Sequence, residues 1–128
     1  MIMRIVPKMP VTPIPALSDD EAARLADMFR LLGDPSRLKI LLACLARPTA
    51  VGAIAAHTGL SISLVSHHLR LLRAARLVRA ARQGKQVFYA GADDHVRCVV
   101  QDMITHLAEP DEVEPDEAEP EAVEEGAS

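Results

Sequence analysis

Aromatic side chains are nearly missing from this chain: Phe29, Phe88 and Tyr89 are the full set, and tryptophan is absent. With β-branched runs also short and Ala and Leu dominant, a mostly helical fold is expected. Two lone cysteines, Cys44 and Cys98, cannot make a disulfide framework. No stretch of eighteen apolar residues occurs, which leaves no candidate membrane span. The opening MIMRIVPKMPVTPIP has no apolar segment long enough for a signal peptide and is broken by four prolines. A soluble, cytoplasmic protein is therefore expected. Catalytic signatures are lacking too. There is no nucleophile–base pair, no Gly-rich phosphate loop and no H-E-x-x-H, so neither an enzyme nor a small-molecule substrate is expected. At 128 residues the chain allows one domain with a single modest core.

What is present is unevenly distributed. The net charge of −4 hides a segregation: residues 109–128 carry ten acidic groups and no basic one, whereas the preceding 108 residues sit at +6. Between Ser61 and Ala90 there are six basic residues (Arg70, Arg73, Arg76, Arg79, Arg82, Lys85) and no acidic one. A basic stripe confined to one stretch fits a polyanion partner, although a solvated helix face is the plainer alternative.

Local signals divide the chain. Residues 1–17 read as a disordered Pro-rich arm. Ser18-Asp19-Asp20-Glu21 is a capping box opening a helix whose apolar stripe is Leu25, Met28, Phe29 and Leu32. Gly33 ends it, and Asp34-Pro35 opens a second helix with Leu38, Leu41, Leu42 and Leu45 as its buried face. A short helix from Val51 to His57 then stops at Gly59, Leu60 fills the angle, and Ser61 caps a further helix to about Arg73. This is a helix-turn-helix. Val65, Leu69 and Leu72 with Leu64 and Leu71 form the core side of the second helix, and His68 reads as a hydrogen-bonded core histidine. Ser63, Ser66, His67 and Arg70 make a polar stripe opposite, suited with Ser61 to base edges and phosphates in a DNA major groove. After Leu77 the period changes to two. Val78–Arg82, a turn at Gln83-Gly84 and Lys85–Tyr89 predict a β-hairpin tipped by Arg82, Gly84 and Lys85. A basic hairpin after a recognition helix is a wing, and a plain hairpin would leave the one-sided charge unexplained.

Near the end stand Asp93, His95, His106 and Glu109: D-x-H, ten residues, then H-x-x-E, in a stretch of helical period. Eleven residues separate the histidines, which on a helix puts them on one face about 16 Å apart. One metal ion with bonds of about 2 Å cannot span that gap. The halves meet only if a second copy of the helix lies antiparallel, so the spacing predicts a homodimer with two equivalent sites. Two imidazoles and two carboxylates suit tetrahedral Zn(II); Co(II) should bind similarly, and Ni(II) wants further ligands. His57, His67 and His68 lie too far along the chain to join the set. Binding needs neutral imidazoles, so affinity should fall below about pH 6. A plainer alternative makes Asp93 or Asp94 a helix cap, Glu109 part of the tail and Asp102 a partner of Arg97. Four ligand-type residues in this register favour the site. Residues 110–128, acidic and Pro-punctuated, read as a disordered solubilising tail, with competition against DNA for the basic surface as the alternative.

Taken together, LGDPSRLKILLACL, LSISLVSHHLRLLRAARLV, RQGKQVFY and the DDH…HLAE pair resemble the ArsR/SmtB family of winged-helix repressors, over roughly residues 18–109. The resemblance implies a mainly helical, dimeric winged helix-turn-helix bound to double-stranded operator DNA. The last pair resembles the branch with a zinc-type site on the C-terminal helix, whose members repress a metal efflux or sequestration gene and leave the operator on binding metal. It also implies a relay in which His106 donates to a backbone carbonyl near Arg76. Cadmium- and lead-type relatives place a Cys pair in the helix before the turn; PTAVGAIAAHTG has none. Persulfide-sensing relatives use two cysteines, and Cys44 and Cys98 fall off their positions. A metal-independent or thiol-responsive repressor is the alternative.

Overall fold

The computed structural model describes residues 13–110; the N-terminal arm expected over residues 1–17 and the tail expected over 110–128 lie largely outside them. Helix α1 (Asp19–Leu32) opens on the capping box read from the sequence. The Glu21 N–H donates to Ser18 Oγ at 3.1 Å, and the Ser18 N–H donates to Glu21 Oε1 at 3.0 Å. Helix α2 (Pro35–Ala46) starts at Asp34, whose Oδ2 accepts the Arg37 N–H at 2.9 Å. Strand β1 (Thr49–Ala50) leads into α3 (Val51–Thr58), and α4 (Ile62–Ala74) follows after Gly59. Strands β2 (Val78–Gln83) and β3 (Gln86–Gly91) precede the last helix, α5 (Asp94–Ala108).

The core is where α2, α3 and α4 meet. Ile40, Leu41, Cys44 and Leu45 of α2 pack with Ile54 of α3 and with Val65, Leu69 and Leu72 of α4. Leu77 and Val78 close it beneath the sheet, and Leu31 and Val100 are the buried residues that α1 and α5 contribute. Full burial of such side chains is worth roughly 1.5–3 kcal/mol each. The close approach of β3 to α2 is fixed at Gly91, where a Cβ would overlap the side chain of Leu45.

Several expectations need correction. The buried face of α2 centres on Ile40, Leu41, Cys44 and Leu45, with Leu38 and Leu42 only half-buried. Leu64 is 39 % exposed and so stands off the core side of α4. The apolar stripe of α1 is as read but only half covered: Met28 and Leu32 pack against the core beside buried Leu31, whereas Leu25 is 43 % and Phe29 54 % exposed. The hairpin turn sits one residue later than read. Gln83 pairs with Gln86, leaving Gly84 and Lys85 as the two turn residues, because the turn needs Gly84 at positive φ (64°) in its first position. The sheet has three antiparallel strands in the order β1-β3-β2, with Thr49 opposite Tyr89 and Ala50 opposite Phe88. A two-residue strand is too short to leave a periodic trace in the sequence.

Candidate functional site

Gly59 ends α3 in the left-handed conformation (φ 77°), and its N–H donates to the Ala55 carbonyl at 2.9 Å. This turn sets α4 against α3 at the helix-turn-helix angle. Ser61 caps α4 by accepting the Leu64 N–H at 3.1 Å. Ser63, His67 and Arg70 stand exposed along α4, with Ser66 half-buried beside them, so the polar stripe is outward-facing as the spacing implied. Arg82 lies in β2 opposite Val87, and Lys85 occupies the hairpin turn; both are exposed. Among the described residues the one ion pair is Arg30–Asp27 on α1, 3.0 Å apart. The six basic side chains from Arg70 to Lys85 therefore have no internal acidic partner among the described residues, and their charge is available to an outside polyanion.

One residue on this surface escaped the sequence reading. Ile62, first in α4, is 59 % exposed between Ser61 and Ser63. It continues the i, i+3, i+7 apolar register of Val65, Leu69 and Leu72, so periodicity alone assigns it to the core side, and only its position in the first turn leaves it uncovered.

The second cluster lies on α5. Asp93 is its N-cap, with Oδ1 accepting the Val96 N–H at 3.1 Å, and Glu109 is its C-cap residue. Asp93 thus has the capping role weighed as the plainer alternative, and its second carboxylate oxygen stays uncommitted among the described hydrogen bonds. His95 and His106 are exposed. His95 borders an apolar groove with Leu25, Phe29 and Val99. His106 borders a larger one, about 440 Å³, with Phe29, Met103 and Leu107. Both histidines therefore flank the uncovered part of the α1 stripe. Val99, Met103, Ile104 and Leu107 of α5 are themselves 44–83 % exposed, so α1 and α5 present one joint apolar face. Within the single chain no three His, Cys, Asp or Glu side chains of the described residues converge on one point. The donor pairs remain at opposite ends of α5, as the helical rise requires. Arg97, weighed as a partner of Asp102, donates instead to the Leu45 carbonyl.

Arg76 is held in the left-handed region (φ 63°) and borders a cavity with Arg24 and Asp27, whereas His106 lies in the α1–α5 groove. Among the described hydrogen bonds none joins His106 to the segment around Arg76. His68 is half-buried with Nδ1 shielded from solvent and unpartnered, so the expected core hydrogen bond is not made. Burial pulls its pKa below the ordinary value, helped by the Arg37 guanidinium and by His67 and opposed by Asp34. Cys44 is buried, and burial pushes its thiol up to about 12, while Cys98 is exposed on α5.

A capped helix-turn-helix followed by a basic hairpin, on a helical body with an uncovered α1–α5 face, defines a winged helix-turn-helix DNA-binding regulator. Residues 34–80 match the family described as "Bacterial regulatory protein, arsR family". The transcriptional repressor SmtB homolog of Synechocystis sp. is 41 % identical over 95 residues, which are 74 % of this chain and 72 % of that protein. Among solved structures, NolR from Sinorhizobium fredii superposes with a TM-score of 0.64 at 32 % identity, covering 74 % of this chain and 97 % of that one. The homodimeric winged helix-turn-helix domain of Mb0332 from Mycobacterium bovis also gives 0.64, at 29 % identity over 79 % of this chain and 99 % of that one. The chain belongs to the arsR family of bacterial regulatory proteins. It is a transcriptional regulator rather than an enzyme, and no helix among the described residues is long and apolar enough to cross a membrane.

Proposed function

We propose that this protein is a cytoplasmic, metal-responsive repressor that binds operator DNA as a homodimer and is released when Zn(II), or Co(II) or Ni(II), binds between its C-terminal helices. The observation that carries this reading is the position of the two donor pairs, Asp93/His95 and His106/Glu109, at opposite ends of a helix whose apolar side is uncovered. An antiparallel second α5 would cover that side and bring Asp93 and His95 of one copy beside His106 and Glu109 of the other. The donor chemistry, two imidazoles and two carboxylates, fits a borderline-hard divalent ion. A bound ion supplies a crosslink between the paired helices and so favours one angle between the subunits.

The protein's own residues do the rest. Recognition helices enter successive major grooves only when about 34 Å apart. Ser61, Ser63, Ser66, His67 and Arg70 meet the bases and backbone there, while Arg82 and Lys85 reach the neighbouring phosphates. An ion that binds better to a dimer of the wrong spacing must weaken DNA binding by that difference in affinity. The carbonyl near Arg76, next to the end of α4, is the proposed acceptor from His106 and would connect the ligand histidine to the recognition helix. A thiol-responsive alternative is disfavoured by Cys44, since a thiol pushed up to about 12 is scarcely thiolate near neutral pH.

The test is fluorescence anisotropy of the full chain on operator DNA, titrated with Zn(II), Co(II) and Ni(II), for wild type and His106→Ala. Release at about one ion per subunit, lost in the variant, is the expected outcome and names the preferred ion. Tight DNA binding indifferent to all three would leave the family assignment and remove the metal reading.

A further inference from the structure

We infer that Ile62 reads a thymine methyl group in the operator and is a sequence-specificity residue of the recognition helix. The inference rests on the repressor reading and adds a base contact to it. Single exposed apolar residues are common on protein surfaces, so exposure alone says little. Its place is what singles out Ile62. It is the first residue of α4, 59 % exposed, directly after the capping Ser61. The core positions of that helix, Val65, Leu69 and Leu72, are buried, and Ile62 is not among the residues that pack on them. At about 100° per residue, Ile62 falls about 20° from Leu69 and about 40° from Ser66, at the border between core face and polar stripe, in the turn before the first buried residue, Val65.

The first turn of a recognition helix is the part that meets base edges. The hydroxyl residues around Ile62 are short, so they let that turn approach the groove floor closely. Arg70 and Arg73, about two and three turns further along, have the reach and charge for phosphates. An isoleucine gains nothing from a phosphate or from the donors and acceptors of the base edges. The apolar feature that bases offer in the major groove is the C5 methyl of thymine. Burying that methyl against a branched side chain removes apolar surface from water on both partners.

The test uses the full chain and a duplex that it selects from a random-sequence pool. Each thymine is replaced in turn by deoxyuridine, which removes the methyl alone, and affinity is measured by anisotropy for wild type, Ile62→Val and Ile62→Ala. For wild type, one thymine in each half-site should be methyl-sensitive, with about a fourfold loss per methyl. Ile62→Val should keep that sensitivity. Ile62→Ala should bind the methylated duplex several-fold more weakly and no longer respond to deoxyuridine at those positions. Circular dichroism should show an unchanged helix content, since the side chain is outside the core. Indifference of wild type to every deoxyuridine, or full sensitivity retained by Ile62→Ala, overturns the inference while leaving the repressor intact. Failure of the chain to select any sequence overturns both.

Discussion

Arg76 occupies a backbone conformation that helices usually end on with glycine. Its N–H donates to the Arg73 carbonyl and the Leu77 N–H to the Leu72 carbonyl, each at 2.9 Å, which is the Schellman ending with Arg76 at the left-handed position. A side chain there costs about 1–2 kcal/mol. Glycine would relieve that cost but lose about 0.5–1 kcal/mol through the freedom it gains when unfolded. Arg76→Gly should therefore raise stability by up to about 1 kcal/mol, read as a higher urea midpoint, while Arg76→Ala keeps the strain and gains nothing. A less stable glycine variant would mean that the guanidinium packs more usefully than its exposure suggests. His68 gives the second prediction at this scale. Its folded pKa lies below the ordinary 6.5, chiefly through burial and secondarily through Arg37. Below 6.5 the unfolded chain then holds more protons than the folded one. The stabilising effect of keeping this imidazole neutral is complete above 6.5 and is lost as pH falls from there toward the folded pKa. Urea unfolding at pH 7.5 and 5.5 should show wild type losing stability on acidification and His68→Gln losing less. An equal or larger loss in the variant would move the cause elsewhere.

At the scale of elements, the wing separates charge from packing. β2 reads buried only at Val78; outward from there Arg79, Arg82 and the turn residue Lys85 are exposed. Contacts of this kind act through counterion release, so each phosphate neutralised adds about 0.9 to the slope of log affinity against log salt. Lys85→Ala should lower the slope on operator DNA by about one and weaken random DNA to a similar degree, without altering sequence preference. An unchanged slope would detach the wing tip from the backbone. The elements also show what could be read from residues alone. Caps were legible because Ser18, Asp34, Ser61 and Gly59 act on neighbours three or four residues away. The hairpin was legible too, but its turn was shifted by one, since Gln83-Gly84 and Gly84-Lys85 each place a glycine in a two-residue loop and pairing decides between them. β1 exists only through its bonds to β3, a partner some forty residues on. For α1 the pattern correctly marked an apolar stripe at Leu25, Met28, Phe29 and Leu32. Periodicity identifies such a face without saying whether the same chain covers it.

For the whole molecule, that uncovered face decides how the parts can work together. Phe29 on α1 and Met103 and Leu107 on α5 are 54, 60 and 83 % exposed and border one groove with His106. A continuous apolar surface of this kind, on a chain whose solved relative from Mycobacterium bovis is homodimeric, fits self-association better than exposure to water. Leu107 is the sharpest probe because it contributes almost nothing to the single subunit's core. Leu107→Glu should therefore leave circular dichroism nearly unchanged, as expected for a surface position, yet force a carboxylate from each subunit into an apolar groove. Sedimentation at micromolar concentration should show wild type as a dimer and the variant shifted toward monomer. The two consequences that depend on pairing should follow together. Operator affinity falls because two half-sites are no longer held at one spacing, and the Asp93/His95 and His106/Glu109 pairs, about 16 Å apart on one helix, cannot share an ion. Loss of metal binding in a variant that still sediments as a dimer would mean that the change disturbs the neighbouring His106 without breaking the subunit contact. A dimer with both functions intact would place the subunit contact on another face and remove the α5 donor pairs as the metal site.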